Sequence, residues 1–475
     1  MCLSRRYFLF GAAAAPLYGK KKKKKKSKKR RKQEQRIAAM KPPHVLVVLT
    51  EDLGAWLCGC YGNQEIRTPN IDLLARLGVR YTNAFVVTPA SSASRATLFT
   101  GRTPMQHGIH DFLTPRPAAD PPQGQAAPPP WFADEEMLSD LLAARGFRCG
   151  FVGTWDMGND ASPGHAFEFT YTMPAPDMPY RNPTMSRNGK MENRNGYLPD
   201  IITEAAAEFL DGHQGTDPFL LVVSYPNPHE PYEGHPERFY EMYKDVRFES
   251  IGWQPLAANA LRGKEYMEDP VASMRRFAAG VSAVDAQVKT LIDHLRKTKL
   301  WSDTLVVFTS VTGHTLGRHG LWGAGLASDP PNMFDEVMRV PLIFSWPGEI
   351  PVESVRPEMV SICDVLPTLA QVCRTAPPPE RNVAGRSFLY QFSRRALPPE
   401  EPWRSTVFGY YRDTRMARDN RFKLVVRNDG EGPNELYNLR RDPREFQNQY
   451  DNPQYVTVRD RLRNRLDAWT DRYSK

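Results

Sequence analysis

Four short apolar runs constrain the fold of this chain more than any other feature. His44 to Leu49 (HVLVVL), Phe219 to Val223 (FLLVV), Thr304 to Phe308 (TLVVF) and Val340 to Phe344 (VPLIF) are rich in β-branched residues. They lack a helical period and are short, as strands buried on both faces are. Helical patterns lie between them. Phe277, Val281, Val284, Val288, Leu291 and Leu295 recur at alternating steps of four and three, the apolar stripe of a long helix. Thr68-Pro69-Asn70 opens a second helix, in which Asn70 is expected to accept from the first-turn amides. Met137 to Ala144 predicts a third, stopped by Gly146 ahead of a strand over Phe147 to Val152. Buried strands alternating with helices predict an α/β fold, a mainly parallel central sheet between helices.

A chain of 475 residues, 41% of them hydrophobic, has ample material for a core and for one large domain plus a smaller one. The net charge of +9 misleads, because fourteen Lys and Arg and no acid lie in the first 32 residues, leaving −5 for the other 443. A mildly acidic body argues against nucleic acid as a partner. No apolar run approaches the roughly 18 residues of a spanning helix. Six cysteines in this length exclude a small disulfide scaffold, and their spacings match no zinc pattern. Cys58 and Cys60 could pair with other cysteines in an oxidising compartment, whereas Cys149, Cys363 and Cys373 lie in apolar segments and read as buried thiols.

Residues 1–19 read as a leader: Arg5 and Arg6 precede the apolar stretch Tyr7 to Leu17, and Ser4-Arg5-Arg6-Tyr7-Phe8-Leu9 resembles the twin-arginine export motif. That resemblance implies a bacterial protein exported to the periplasm or beyond. Residues 20–42 read as a linker. Its Lys20 to Lys32 run is either a self-repelling disordered spacer or a contact for an anionic membrane surface. The α/β domain is placed at 43–375. Beyond it, strand-like segments at Arg404 to Tyr411 and Arg421 to Val426, the NELYNL segment, and a helix over Val456 to Tyr473 predict a small antiparallel sheet with one packing helix at 376–475. Pro115 to Pro130, with seven prolines, and Tyr180 to Gly196 read as irregular loops. Nothing in the sequence speaks to the oligomeric state.

Active sites of α/β sheets gather at the carboxyl ends of the strands. HVLVVL runs into Glu51 and Asp52, adjacent carboxylates suited to a hard divalent cation. Phe219 to Pro228 runs into His229, within NPHEPY. A third stretch, PASSASRATLFTGR, places Ser91 beside a helix start with Arg95 one turn along, where it could hold an anionic partner.

That stretch resembles the signature of the sulfatase family, within the alkaline phosphatase superfamily: Cys or Ser, any residue, Pro or Ala, Ser, Arg, an apolar turn, then Thr-Gly-Arg. TPNIDLLARLGVRYTNAFV, the long helix containing DAQV, GLWGAG, RVPLIFSWPG and NELYNLRRDPREFQN are similar to further landmarks of that family, in the right order. The resemblance implies hydrolysis of sulfate esters, sulfated carbohydrate as partner, calcium as cofactor, and conversion of Ser91 to formylglycine. It implies that His229 contacts the sulfate or donates a proton to the leaving oxygen.

Against that pattern the fourth strand end departs. TLVVFTS should continue with Asp and then His or Asn, and reads Val311-Thr312, in a register held by Leu316-Gly317 and His319 to Gly323. Valine cannot ligate a metal, and threonine offers a neutral hydroxyl where calcium takes six to eight oxygens. The family's Gly-Lys-Trp-His-Leu-Gly becomes Gly153 to Gly158 with Thr154 and Asp156 in place of lysine and histidine. The lysine after GLWG is Ala324. Asp156 and His314 are the residues placed to substitute as metal ligands. Two lysines and a divalent cation lost together remove about four positive charges from a sulfate pocket. The site residues therefore point to a sulfatase-like protein with weak or no hydrolysis. Two readings stay open beside it: an active sulfatase using calcium and formylglycine, and an ester hydrolase with unmodified Ser91 as nucleophile. Trp155 and Phe167 are either core packing or a sugar contact.

Overall fold

All four apolar runs become strands of one sheet: β1 (His44–Thr50), β7 (Phe219–Ser224), β8 (Thr304–Ser310) and β9 (Leu342–Ser345). They belong to a computed structural model in which residues 40–113, 130–175, 178–213 and 215–474 are described. The leader, the Lys20 to Lys32 run and nearly all of Pro115 to Pro130 lie outside those residues. The remaining strands of the sheet are β2 (Val79–Phe85), β3 (Arg148–Gly153), β4 (Phe169–Thr172), β5 (Thr184–Arg187), β6 (Lys190–Asn193) and β10 (Ser354–Ser361). Their order is β10-β2-β9-β8-β1-β7-β3-β4-β5-β6.

The centre, β8-β1-β7-β3-β4, is parallel throughout. Both faces of β1 are covered, since Val45, Val47 and Leu49 enter one apolar cluster and Leu46 and Val48 the other. This is the reason the central runs are continuous rather than alternating. The flanks are mixed. β9 runs antiparallel to both β8 and β2, and β4, β5 and β6 pair antiparallel. VPLIF is the buried strand that the sequence predicts, here in antiparallel pairing. One expectation needs correction: Tyr180 to Gly196 is not irregular but holds the β5–β6 hairpin. Asn188 and Gly189 form its turn at φ 46° and 84°, the left-handed pair that a tight hairpin requires.

The helix Pro270–Lys297 buries Phe277, Val281, Val284, Val288, Leu291 and Leu295, the stripe read from the sequence. It also caps a neighbour. The helix Pro69–Arg76 starts without a side-chain cap of its own, and Asp285 of the long helix accepts from the backbone amides of Asn70 (2.9 Å) and Ile71 (2.8 Å). Asn70 is thus not the acceptor that local sequence suggested. It already sits inside the first turn, and its side-chain amide donates to Asp285 at 2.7 Å. A negative charge at a helix start is favoured by the aligned peptide dipoles.

A second sheet, β11 (Thr406–Tyr411), β12 (Thr414–Asp419), β13 (Phe422–Arg427) and β14 (Glu435–Asn438), is antiparallel in that order, with the helix Val456–Tyr473 against it. Lys423 of β13 is buried and reaches Asp335 Oδ1 (2.7 Å), Glu445 Oε1 (2.6 Å) and the Met333 carbonyl (2.8 Å). Burial works against the charge on Asp335, but Arg418 and Lys423 outweigh it and hold that carboxyl well below the ordinary range. Such a network fixes position more reliably than it adds stability, and here it pins the small sheet to the segment leading into β9.

Candidate active site

Four parallel strands end side by side. In register, Thr50 of β1 faces Ser310 of β8, Leu49 faces Ser224 of β7, and Ser224 faces Gly153 of β3. The residues just beyond are Glu51-Asp52, Val311-Thr312, Tyr225 to His229 and Thr154. Strand pairing thus continues one step past each strand: the Val311 amide donates to the Thr50 carbonyl (3.0 Å) and the Thr154 amide to the Ser224 carbonyl (2.9 Å). Gly153 has to be glycine, because a Cβ there would lie 1.9 Å from the Ser224 carbonyl oxygen.

Ser91 is the first residue of the buried helix Ser91–Thr100, after an extended Ala90 that supplies no side-chain cap. It opens onto a narrow cleft of about 30 Å³ whose walls include Asp52, His229, Glu230, Thr312, His314 and Ala324. Arg95 does not line that cleft and is fully buried. Its guanidinium meets Glu51 Oε1 at 3.2 Å and donates to the Thr154 carbonyl (3.0 Å) and to Ser224 Oγ (2.8 Å). It therefore ties three strand ends together from behind, a positioning arrangement rather than direct contact with a bound anion.

Asp52 takes a left-handed backbone at φ 54° and is held by Thr312. Thr312 Oγ1 donates to Asp52 Oδ1 at 3.0 Å and accepts from the Asp52 amide at 3.2 Å. His229 Nε2 lies 3.9 Å from Asp52 Oδ2, and its Nδ1 donates to the Glu230 carbonyl at 2.8 Å. A carbonyl can only accept, so Nδ1 carries the hydrogen and Nε2 is the nitrogen turned to Asp52.

Among the described residues, the donor set at these strand ends does not fit calcium. Val311 is fully buried and offers no oxygen from its side chain, and the Thr312 hydroxyl gives its proton to Asp52. Among the described residues, no group of three His, Cys, Asp or Glu side chains gathers as a metal centre would need. Nor is His314 free to substitute. Its Nδ1 accepts from the Leu316 amide (3.0 Å), its Nε2 faces Tyr232 Oη (3.4 Å), and the ring packs near Phe277 and Trp322. Asp156 is buried at a left-handed φ of 50°. Thr154 spends its hydroxyl on Met173 Sδ (3.2 Å). Trp155 is buried against Phe151 and Phe167, which makes it core packing rather than a sugar platform.

Burial, with His229 as a lesser cause, pushes the His314 pKa down to about 3. An unfolded histidine takes its proton near pH 6.5, so this contribution to stability is intact above pH 6.5 and is lost as pH falls toward 3. His314→Gln is expected to flatten the decline in unfolding free energy between pH 6.5 and 4, by about 1.4 kcal/mol per pH unit at most. Chemical denaturation at a series of pH values measures it, and an unchanged slope would show that His314 titrates normally.

Three participants escaped sequence reading. Asp160 lies near Arg95, accepts from the Asp156 and Met157 backbones, and is pushed up to about 6 by burial. Tyr180 Oη donates to the His229 carbonyl at 2.8 Å. Arg262 lines the cleft from a loop with no periodic pattern. Only a map of which loops cross the strand ends could have found them.

The helix start thus presents a hydroxyl over converging strand ends, with carboxylates and a histidine beside it. The chain belongs to the sulfatase family, whose pattern matches residues 43–374, and residues 323–472 match the C-terminal region of N-sulphoglucosamine sulphohydrolase. It is 23% identical to the N-acetylglucosamine-6-O-sulfatase of Bacteroides thetaiotaomicron, over 91% of this chain and 87% of that one. Two solved structures share its fold. One, in complex with its substrate D-glucosamine-2-N,6-O-disulfate, has a TM-score of 0.77 at 22% identity and covers 91% of this chain and 98% of its own. The other, in complex with k-i-k-neocarrahexaose, has a TM-score of 0.70 at 22% identity, covering 91% and 94%.

Proposed function

We propose that this protein is an exported sulfatase-family member that binds a sulfated sugar over Ser91 and hydrolyses sulfate esters weakly or not at all. The observation that carries this reading is the Thr312–Asp52 pair beside a buried Val311, where hydroxyl and valine stand in place of two metal ligands. Thr154 and Ala324 remove two more positive charges. Preorganised charge at the developing anion usually contributes more than any other effect to such catalysis, and each lost donor costs about 10²–10³ in rate. The residues that would shape recognition are still present: Ser91, Asp52, His229 and the cleft they share. Support for a sugar as ligand comes from the relatives, several of which act on or bind sulfated saccharides by name. Export rests on the twin-arginine-like leader.

The role of each residue follows from its place. Ser91 meets the ligand with its hydroxyl at the positive end of a helix. His229 directs Nε2 into the cleft, Asp52 holds that nitrogen's side of the site, and Arg95 keeps Glu51 and the β3 and β7 ends in register. Isothermal titration with 6-O-sulfated N-acetylglucosamine tests the reading. Saturable binding that weakens sharply in Ser91→Trp, a variant that fills the cleft, is the expected result. Equal heats from the blocked variant would place binding elsewhere.

A further inference from the structure

Among the described residues that line the Ser91 cleft, Arg262 is the sole lysine or arginine. We infer that Arg262 supplies the cation that grips the sulfate oxygens, taking over from the lysine missing at Ala324. The inference rests on the sulfated-sugar reading of the cleft and names the residue that makes it work.

The segment carrying Arg262 is fastened along the segment carrying Ala324. Ala260 pairs with Ser328 in an antiparallel bridge, the Leu261 amide donates to the Ala327 carbonyl (2.9 Å), and the Asp329 amide donates to the Asn259 carbonyl (3.0 Å). Gly263 completes the approach at φ 70°, where a Cβ would lie 2.5 Å from the Trp322 carbonyl oxygen. These contacts bring the Arg262 stem over Gly323: a Cβ added there would sit 3.7 Å from Arg262 Cδ. Arg262 and Ala324 thus rise from adjacent strips of the same wall, facing a cleft that also holds Ser91 and His229.

The charges on the cleft walls single out the same residue. Of the other ionisable residues on the described walls, Asp52 and Glu230 are acids, Tyr232 is a buried phenol, and His229 and His314 are histidines, of which burial keeps His314 neutral at ordinary pH. Among the described residues, a sulfate entering this cleft meets one permanent side-chain cation, and a guanidinium can give two parallel hydrogen bonds to two sulfate oxygens. A lysine offers a single point charge, so the exchange of lysine for arginine also changes how the anion is oriented.

The test is titration of the full chain with 6-O-sulfated N-acetylglucosamine and with unsulfated N-acetylglucosamine. Arg262→Ala is expected to weaken the sulfated sugar about 10- to 100-fold, and the unsulfated one less than about twofold. Arg262→Gln, which keeps the stem, should show the same split, so a folding defect in one variant cannot mimic the result. Ala324→Lys in the Arg262→Ala background should recover most of the loss. If the wild type binds the sulfated sugar and both Arg262 variants bind it equally well, this inference falls while the reading of the cleft stands. If the wild type binds neither sugar, the reading itself falls and takes the inference with it.

Discussion

Arg95→Met is expected to lower the stability of the folded chain by about 3–5 kcal/mol, the cost of removing one partner from a buried ion pair. Arg95 is fully buried, and its guanidinium serves Glu51 Oε1, the Thr154 carbonyl and Ser224 Oγ together. Methionine keeps most of the stem but leaves Glu51 in a dry pocket without that cation. Urea unfolding measures the loss. Adding Glu51→Gln to Arg95→Met should restore a part of it, since the carboxylate charge is then gone. A loss under about 1 kcal/mol would show that the three strand ends hold together without this hub.

The second large effect is a gain. Val311→Asp, Thr312→Asn, Thr154→Lys, Asp156→His and Ala324→Lys, combined, are expected to raise calcium affinity well above that of the natural chain. Residues 311 and 312 follow β8 at the step where Glu51 and Asp52 follow β1, and Thr50 is in register with Ser310. New carboxylate and amide oxygens would therefore face the two existing acids. Calcium at about 100 times its dissociation constant should stabilise this variant by about 2.7 kcal/mol and leave the natural chain unmoved. Thr154 and Val311 are both buried, so polar replacements lower the starting stability in the absence of calcium. A variant that folds yet shows no calcium-dependent shift would mean that these positions do not correspond to the family's metal ligands.

How much of this was legible in the sequence depended on whether a segment's environment is set locally. β1, β7 and β8 are buried on both faces, so their apolar runs announce them, and the residues following each run mark the site. The stripe of Pro270–Lys297 and the closing helix Val456–Tyr473 are legible for the same reason. β5 and β6 are short and carry Arg187, Lys190 and Glu192, so no apolar pattern reveals them. The Asn188-Gly189 turn was the available signal. Site positions split in the same way. Glu51, Asp52, Ser91, Thr312, His229 and Ala324 come together on one cleft or beside it, as motif order suggests. Arg95 lies behind the cleft because three acceptors at the strand ends claim its guanidinium. Asp285 capping a helix some two hundred residues upstream and Arg262 zipped beside Ala324 are products of tertiary packing, and local sequence has no means of encoding them visibly.

Charge is divided along the chain in a comparable way. The N-terminal 32 residues carry +14 and the other 443 carry −5, whereas among the described residues the cleft expected to attract an anion has Arg262 as its one lysine or arginine. On the function proposed above, a site with the nucleophile position and the histidine but without the metal ligands and lysines would recognise a sulfate better than it would cleave its ester.

Counting sulfate released from 6-O-sulfated N-acetylglucosamine distinguishes recognition from cleavage without an intermediate step. Purified protein, with calcium present and with the Ser91→Ala chain alongside, should release less than about one sulfate per molecule, well short of the many turnovers per second of an ordinary enzyme. Repeated turnover by the natural chain that disappears in Ser91→Ala would overturn the binding-without-hydrolysis reading and establish an active sulfatase.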